Sequence, residues 1–257
     1  MDIMTSTPVA VLHDLHGNVH ATRAALDDAW RAGARRVLIG GDVAYGPHVR
    51  ETLDLLLGLG EHAVWIRGNA DRELVSVALG TPPDGLPDDL VEAMRWEAAH
   101  LTNAHLRHLE GLGHRRTLCL GELGDVLLCH ATPRADDEIV TALTPGDVLA
   151  EVLAGVGQDL VVGGHTHVPL DRHAGQVRFV NPGSVGLPYD GPGAAWALLD
   201  GGVRFMRAHY DVRSAADEAA RSGHPLAADL AATLLQPPGG DAATAHFEDV
   251  ARARRKT

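Results

Sequence analysis

Three times within its first seventy residues the chain runs from a short apolar segment into a polar cluster and then into helix-forming sequence. Residues 9–12 end at the cluster 13–18, and residues 19–32 follow with Val19, Ala25, Leu26, Ala29 and Trp30 near one helical face and Gly33 as a stop. Residues 37–39 end at Gly40, Gly41 and Asp42, and residues 48–57 again read as helix. Residues 63–66 end at Arg67, Gly68 and Asn69. Strands that alternate with helices need crossover connections, so these units predict a parallel sheet in an α/β fold. In such sheets the site lies where the strands end, and all three polar clusters fall at that edge.

The remainder is more mixed. Residues 81–89 hold three prolines and read as a loop, and 88–101 and 103–112 as helices. A hairpin is expected from 116–120 and 125–129 around the turn 121–124. Residues 146–153 read as helix and 159–162 as a strand entering Gly163-Gly164-His165-Thr166-His167. Residues 177–180, 194–199 and 203–209 complete the expectation of a second, more antiparallel sheet. From Ser214 the pattern is Ala-rich helix broken at 223–225, then a Gln-Pro-Pro-Gly-Gly-Asp linker (236–241) and a last helix whose basic end reads as solvated.

Composition narrows the function. The net charge of −12 argues against a general nucleic-acid binder, which needs a basic face. No apolar run approaches the ~18 residues of a membrane span, and residues 1–8 carry no export signal. Two cysteines, Cys119 and Cys129, make no disulfide framework, so reduced thiols and a cytoplasmic location are expected. Histidine is abundant, with 16 copies, and it is both the commonest metal ligand and the neutral-pH proton carrier.

Five strand ends concentrate N and O donors: Asp14 and His16, Asp42, Asn69, His130, and His165 with His167. Seven donors exceed one tetrahedral zinc and suit two metals if one carboxylate bridges. Mixed N/O ligation favours Mn, Fe, Zn, Co or Ni over Mg or Ca, which prefer all-oxygen shells. Two dications less two carboxylates leave a small cationic hole in an acidic protein, suited to a phosphoester whose attacking and leaving oxygens gain charge.

The ordered blocks His-Asp-Leu-His-Gly-Asn (13–18), Gly-Gly-Asp (40–42), Arg-Gly-Asn-Ala-Asp (67–71), His130 with Ala-Thr-Pro, Gly-Gly-His-Thr-His (163–167) and Asn-Pro-Gly-Ser-Val-Gly (181–186) resemble the calcineurin-like metallophosphoesterase superfamily, in its small bacterial phosphodiesterase branch. The resemblance spans about residues 8–210. It implies a four-layer α/β/β/α sandwich of two mixed sheets over residues 1–235, with 236–257 a linker and helix packed on or extending it. It implies that Asp14, His16, Asp42 and His167 hold one metal, that Asp42 bridges, and that Asn69, His130 and His165 complete the other. It also implies hydrolysis of a small phosphomonoester or phosphodiester, nucleotides included, by in-line attack of a metal-bound hydroxide, with Asn69 and His130 touching the phosphoryl group.

One position departs from the family. Its third block often carries a histidine thought to protonate the leaving oxygen, and here that position is Ala70. Loss of a general acid costs ~10²–10⁴ in rate for a poor leaving group and little for an acidic one. Either the substrate leaves easily or another residue, with His13 the candidate, supplies the proton. Arg67, Arg72 and Arg134 flank the blocks and are candidate phosphate contacts. Asp71 is expected to orient its neighbours through hydrogen bonds. A rival reading is a non-catalytic scaffold, as in a related eukaryotic retromer subunit that resembles this fold. Seven retained donors weigh against it.

Overall fold

A computed structural model describes residues 2–4 and 8–255, the first stretch by its strand pairing alone. The strands are β1 (Asp2–Met4), β2 (Val9–Leu12), β3 (Arg36–Ile39), β4 (Ala63–Trp65), β5 (Arg115–Leu120), β6 (Asp125–Cys129), β7 (Leu160–Val162), β8 (Leu170–Ala174), β9 (Val177–Asn181), β10 (Ala194–Leu199) and β11 (Val203–Ala208). The helices are α1 (Val19–Arg31), α2 (Val49–Leu57), α3 (Asn69–Ala78), α4 (Asp88–His100), α5 (Asn103–Glu110), α6 (Gly146–Val152), α7 (Val212–Arg221), α8 (Ala227–Leu235) and α9 (Gly240–Arg254).

Two mixed sheets result, in the orders β11-β10-β2-β3-β4 and β1-β5-β6-β7-β9-β8. β2, β3 and β4 are parallel, with Val11 beside Leu38 and Leu38 beside Val64, as the strand–helix alternation requires. The second half does not keep its strands to itself. β10 and β11 join the first sheet, β10 antiparallel to β2. The reason is side-chain supply: every residue of β10 is buried, so it needs cover on both faces and a neighbour on each edge. β1 and β8 carry no clear apolar pattern, β1 being only three residues long and β8 alternating exposed Asp171 and His173 with less exposed neighbours, both at sheet edges.

Strand side chains alternate between faces, and the apolar clusters follow that alternation. Val9, Val11, Leu38, Val64, Ala197 and Leu199 meet Leu118, Val126, Leu128, Val162 and Val180 between the sheets. Ala10, Leu12, Val37, Ile39, Trp196 and Leu198 point the other way, onto α1–α5. Leu127, Cys129, Val161 and Phe179 pack against α6 on the far side. Helix, sheet, sheet and helix therefore form four layers. α9 is tied to this body by Glu248, fully buried, whose carboxylate accepts from Thr141 Oγ1 (2.9 Å), Thr144 Oγ1 (3.0 Å) and the Arg255 guanidinium (2.6 Å). The basic end of α9 is thus paired as well as solvated.

Candidate metal centre

The loops after β2 and β3 are sewn together by their backbones. Leu15 and His16 N–H both donate to the Asp42 carbonyl, at 2.8 and 2.9 Å. Asp71, at the start of α3, adds the third loop: Oδ1 accepts from Val43 and Ala44 N–H and Oδ2 from Gly68 N–H, each at 2.9 Å. It orients its neighbours, as its place in the sequence suggested. The block 181–186 gains a physical meaning too. Asn181 donates to Gly164 O at 2.8 Å and Ser184 Oγ to Asp14 O at 2.7 Å, so this turn holds two donor-bearing loops.

Two groups of donors converge: Asp14, His16 and His167, and Asp42, His130 and His165, the atoms of each group within 4.8 Å of one another. His130 Nε2 lies 3.4 Å from Asp42 Oδ2 and 3.8 Å from Asp14 Oδ1, so the groups adjoin. The Asn69 Oδ1 is buried without a hydrogen-bond partner, as are Asp14 Oδ1 and His130 Nε2. Asp14, His16, Asp42, His165 and His167 all have φ between 46° and 71°, a region that non-glycine residues seldom occupy. Strain of this kind, about 1–3 kcal/mol per residue, persists where surrounding structure enforces it, and functional sites are where it gathers. Gly68 allows the close approach, because a Cβ there would stand 1.9 Å from Asp42 Oδ1.

Proton positions explain why the cluster suits cations. His16, His167 and His130 each direct Nδ1 at a backbone carbonyl: Ala44 O at 3.1 Å, Leu187 O at 2.8 Å and Gly40 O at 2.8 Å. A carbonyl only accepts, so each Nδ1 carries hydrogen and each Nε2 of a neutral ring presents a lone pair inward. Burial holds the pKa of both His16 and His167 below the usual histidine range, so they are neutral at pH 7. Their Nε2 atoms are nevertheless 2.9 Å apart. Two lone pairs at that distance repel unless a positive charge lies beside them. Burial works against charge on His130, but Asp42 and Asp14 outweigh it and carry its pKa up to about 10. Burial lifts Asp14 well above the carboxylate range, whereas His130 and His16 hold Asp42 far below it despite burial. The donor set therefore fits divalent cations: neutral His16 and His167 with lone pairs aimed inward, two carboxylates, and protons on His130 and Asp14 for the metal to displace.

The other candidates separate. His13 is fully buried, its ring lies against Gly40 and Gly164, neither nitrogen has a partner, and burial followed by His130 lowers its pKa to about 3. Arg67 Nε is buried without a partner. Arg72 forms a two-pronged pair with Asp136, at 2.8 and 3.0 Å. Arg134 pairs with Glu138 and Glu151 and lines two surface cavities that include none of the seven donors. Sequence reasoning missed Glu97. Fully buried on α4, it accepts from Tyr45 N–H (3.0 Å), Gly46 N–H (2.9 Å) and His224 Nε2 (3.0 Å), and so fixes the loop beside His16. One glutamate among the acidic residues of a helix carries no signal of burial.

Fold and centre together define a class, and comparison with known proteins identifies it. The family model of the calcineurin-like phosphoesterase superfamily domain matches residues 8–202. The chain belongs to this superfamily and is a metal-dependent phosphoesterase. It is 28% identical to the protein MJ0912 of Methanocaldococcus jannaschii, over 86% of this chain and 96% of that one. It is 27% identical to phosphodiesterase YfcE of Escherichia coli, over 74% and 85% of the two chains, which supports the small bacterial phosphodiesterase branch. The crystal structure of a metallophosphoesterase from Sphaerobacter thermophilus superposes with a TM-score of 0.74 at 25% identity, covering 89% of this chain and 98% of the other. Among the described residues no helix is long and apolar enough to cross a membrane.

Proposed function

We propose that this enzyme hydrolyses a small phosphomonoester or phosphodiester, nucleotides among them, with two divalent transition metals, manganese first. The observation that carries the proposal is the pair of adjoining donor groups, with Asp14 Oδ1, Asn69 Oδ1 and His130 Nε2 buried there without hydrogen-bond partners. Asp14, His16 and His167 would hold one ion and Asn69, His130 and His165 the other, with Asp42 between them. Bound there, the ions supply charge for the phosphoryl oxygens and acidify the attacking water.

The chain's own residues do the rest. Asn69 and His130 would also face the phosphoryl group, and Arg67, whose Nε lacks a partner, would bind its free oxygens. Arg72 and Arg134 hold carboxylates and would reach substrate only by leaving them. A buried neutral His13 is poorly placed to pass a proton, and Ala70 has none to give. The leaving group is accordingly an acidic one that departs unprotonated. The free thiols Cys119 and Cys129 favour the cytoplasm.

The test is a panel of phosphomonoesters and phosphodiesters with Mn²⁺, scored by kcat/KM, beside metal analysis of protein purified without chelator. About two metals per chain and turnover of an activated aryl phosphodiester are expected. Fewer than one metal per chain together with no turnover would leave the fold as a scaffold.

A further inference from the structure

The chain is poor in aromatic residues, with three Tyr, three Phe and four Trp. Three of these, from three separate segments, meet the candidate ligand histidines. Tyr189 stacks on His167, ring centres 4.6 Å apart and planes at 29°. Phe247, from α9, lies 6.1 Å from Tyr189 and 6.2 Å from His165. Tyr45 meets His16 edge-on at 5.7 Å. Phe179 and Trp196, by contrast, are fully buried in the core, whereas these three rings are each partly open to solvent.

Each ring is held in place. Among described non-glycine residues, φ is positive only at five candidate ligands and at Tyr45, at 69°. A bulky side chain there is a genuine outlier. The buried Glu97 enforces it by accepting both the Tyr45 and Gly46 N–H groups. Tyr189 is fixed through its backbone, donating to His167 O at 3.3 Å and accepting from Gly239 N–H at 2.9 Å. Phe247 precedes Glu248, the buried anchor of α9. α9 lies beyond the residues 8–202 matched by the family model, so Phe247 reaches the centre from outside the matched domain.

Simple packing explains part of this, because Tyr45 and Tyr189 both lean on the apolar cluster of α7 and α8. It does not explain why Tyr45 is held in a strained conformation against a ligand, or why a terminal helix brings a half-open phenylalanine to another. Aromatic side chains set around a phosphate site are how proteins take up planar groups, because every base or aryl ring has a π face.

We propose that Tyr45, Tyr189 and Phe247 form an aromatic rim that stacks on a planar group attached to the phosphate, so that nucleotidyl and aryl esters are preferred to alkyl and sugar esters. The proposal rests on the phosphoesterase reading above. It also agrees with an acidic leaving group in the aryl case.

Calorimetry on the Mn²⁺-loaded full chain tests it with two phosphonates that cannot be hydrolysed, phenylphosphonate and cyclohexylphosphonate. They share the anion and approximate size and differ in the flat face. Phenylphosphonate is expected to bind roughly 5- to 150-fold tighter. Phe247→Leu, which keeps apolar volume, should remove most of that preference at the metal content of the unmodified protein. Equal affinities in the unmodified protein, or a full preference retained in both Phe247→Leu and Tyr189→Leu, would overturn the rim. Inhibition by AMP against ribose 5-phosphate identifies the source: a preference for AMP marks nucleobases, and its absence beside a phenyl preference marks aryl groups. If phenylphosphonate is preferred but no ester turns over, the rim stands and the hydrolase reading fails. If esters turn over without any preference, the reverse holds.

Discussion

Loading the centre with metal should stabilise this protein far more than a surface ion would. In the chelated protein, His16 and His167 face each other at 2.9 Å with lone pairs inward, and Asp14, Asn69 and His130 each leave a buried atom without a hydrogen bond. A cation that binds only the folded chain adds about 2.7 kcal/mol when its free concentration is a hundredfold above Kd. Two such sites add about 5 kcal/mol, and a chain of this size gains about 2–4 °C per kcal/mol, so Tm should rise by roughly 10–20 °C. Binding should also release protons. With its pKa near 10, His130 is protonated at pH 7.5 and must give up the Nε2 proton, since Nδ1–H stays on Gly40 O. Asp14, held above the carboxylate range, adds a further share. The sign follows: protons compete with metal below these pKa values, so apparent affinity should strengthen as pH rises toward about 10. Differential scanning calorimetry with and without Mn²⁺ reads the first effect, and titration calorimetry in buffers of different ionisation enthalpy reads the second. A Tm unmoved by saturating Mn²⁺ and Zn²⁺, or binding that releases no proton, would refute the reasoning about the lone pairs.

Other substitutions probe the neighbours of the centre. Gly68→Ala puts a Cβ 1.9 Å from Asp42 Oδ1 and should lower bound metal from about two to one or fewer by atomic absorption, with the fold intact by circular dichroism. Glu97→Ala strands two backbone N–H groups and buried His224, and should lower unfolding free energy by about 3–5 kcal/mol in urea titrations. Ala70→His restores the proton donor common in the family, and at least a tenfold gain on an alkyl phosphoester with little change on an aryl one is expected. Equal gains on both would disprove the leaving-group argument.

Much of the site was legible because its residue types are unusual where they stand. Asp14, His16, Asp42, His165 and His167 follow apolar strands beside glycines, and packing alone does not ask for that. Asp71 could be read as an organiser, since an acid at the third position of a helix caps its own turn. Glu97, Tyr45 and Phe247 could not. Their parts come from long-range partners, Glu97 across 52 residues to Tyr45 and Phe247 across 82 to His165, and no local pattern records such pairs. Arg134 shows the converse, a plausible phosphate contact by position that its carboxylate neighbours Glu138 and Glu151 engage instead.

The sequence by itself determined the parallel β2-β3-β4 core, the strand-end edge where the polar clusters gather, and the seven candidate donors. Each of these is written in local periodicity, in where an apolar run stops, or in the order of short motifs. Only the tertiary structure decided that β10 and β11 complete the first sheet, because strand pairing is settled by which buried faces remain to be covered. Only it decided that His16, His130 and His167 turn Nε2 inward, because that orientation is fixed by the carbonyl opposite Nδ1, and that carbonyl belongs to another loop. It alone brought α9 and its phenylalanine to the candidate metal centre, because Glu248 finds its hydroxyl partners more than a hundred residues earlier in the chain.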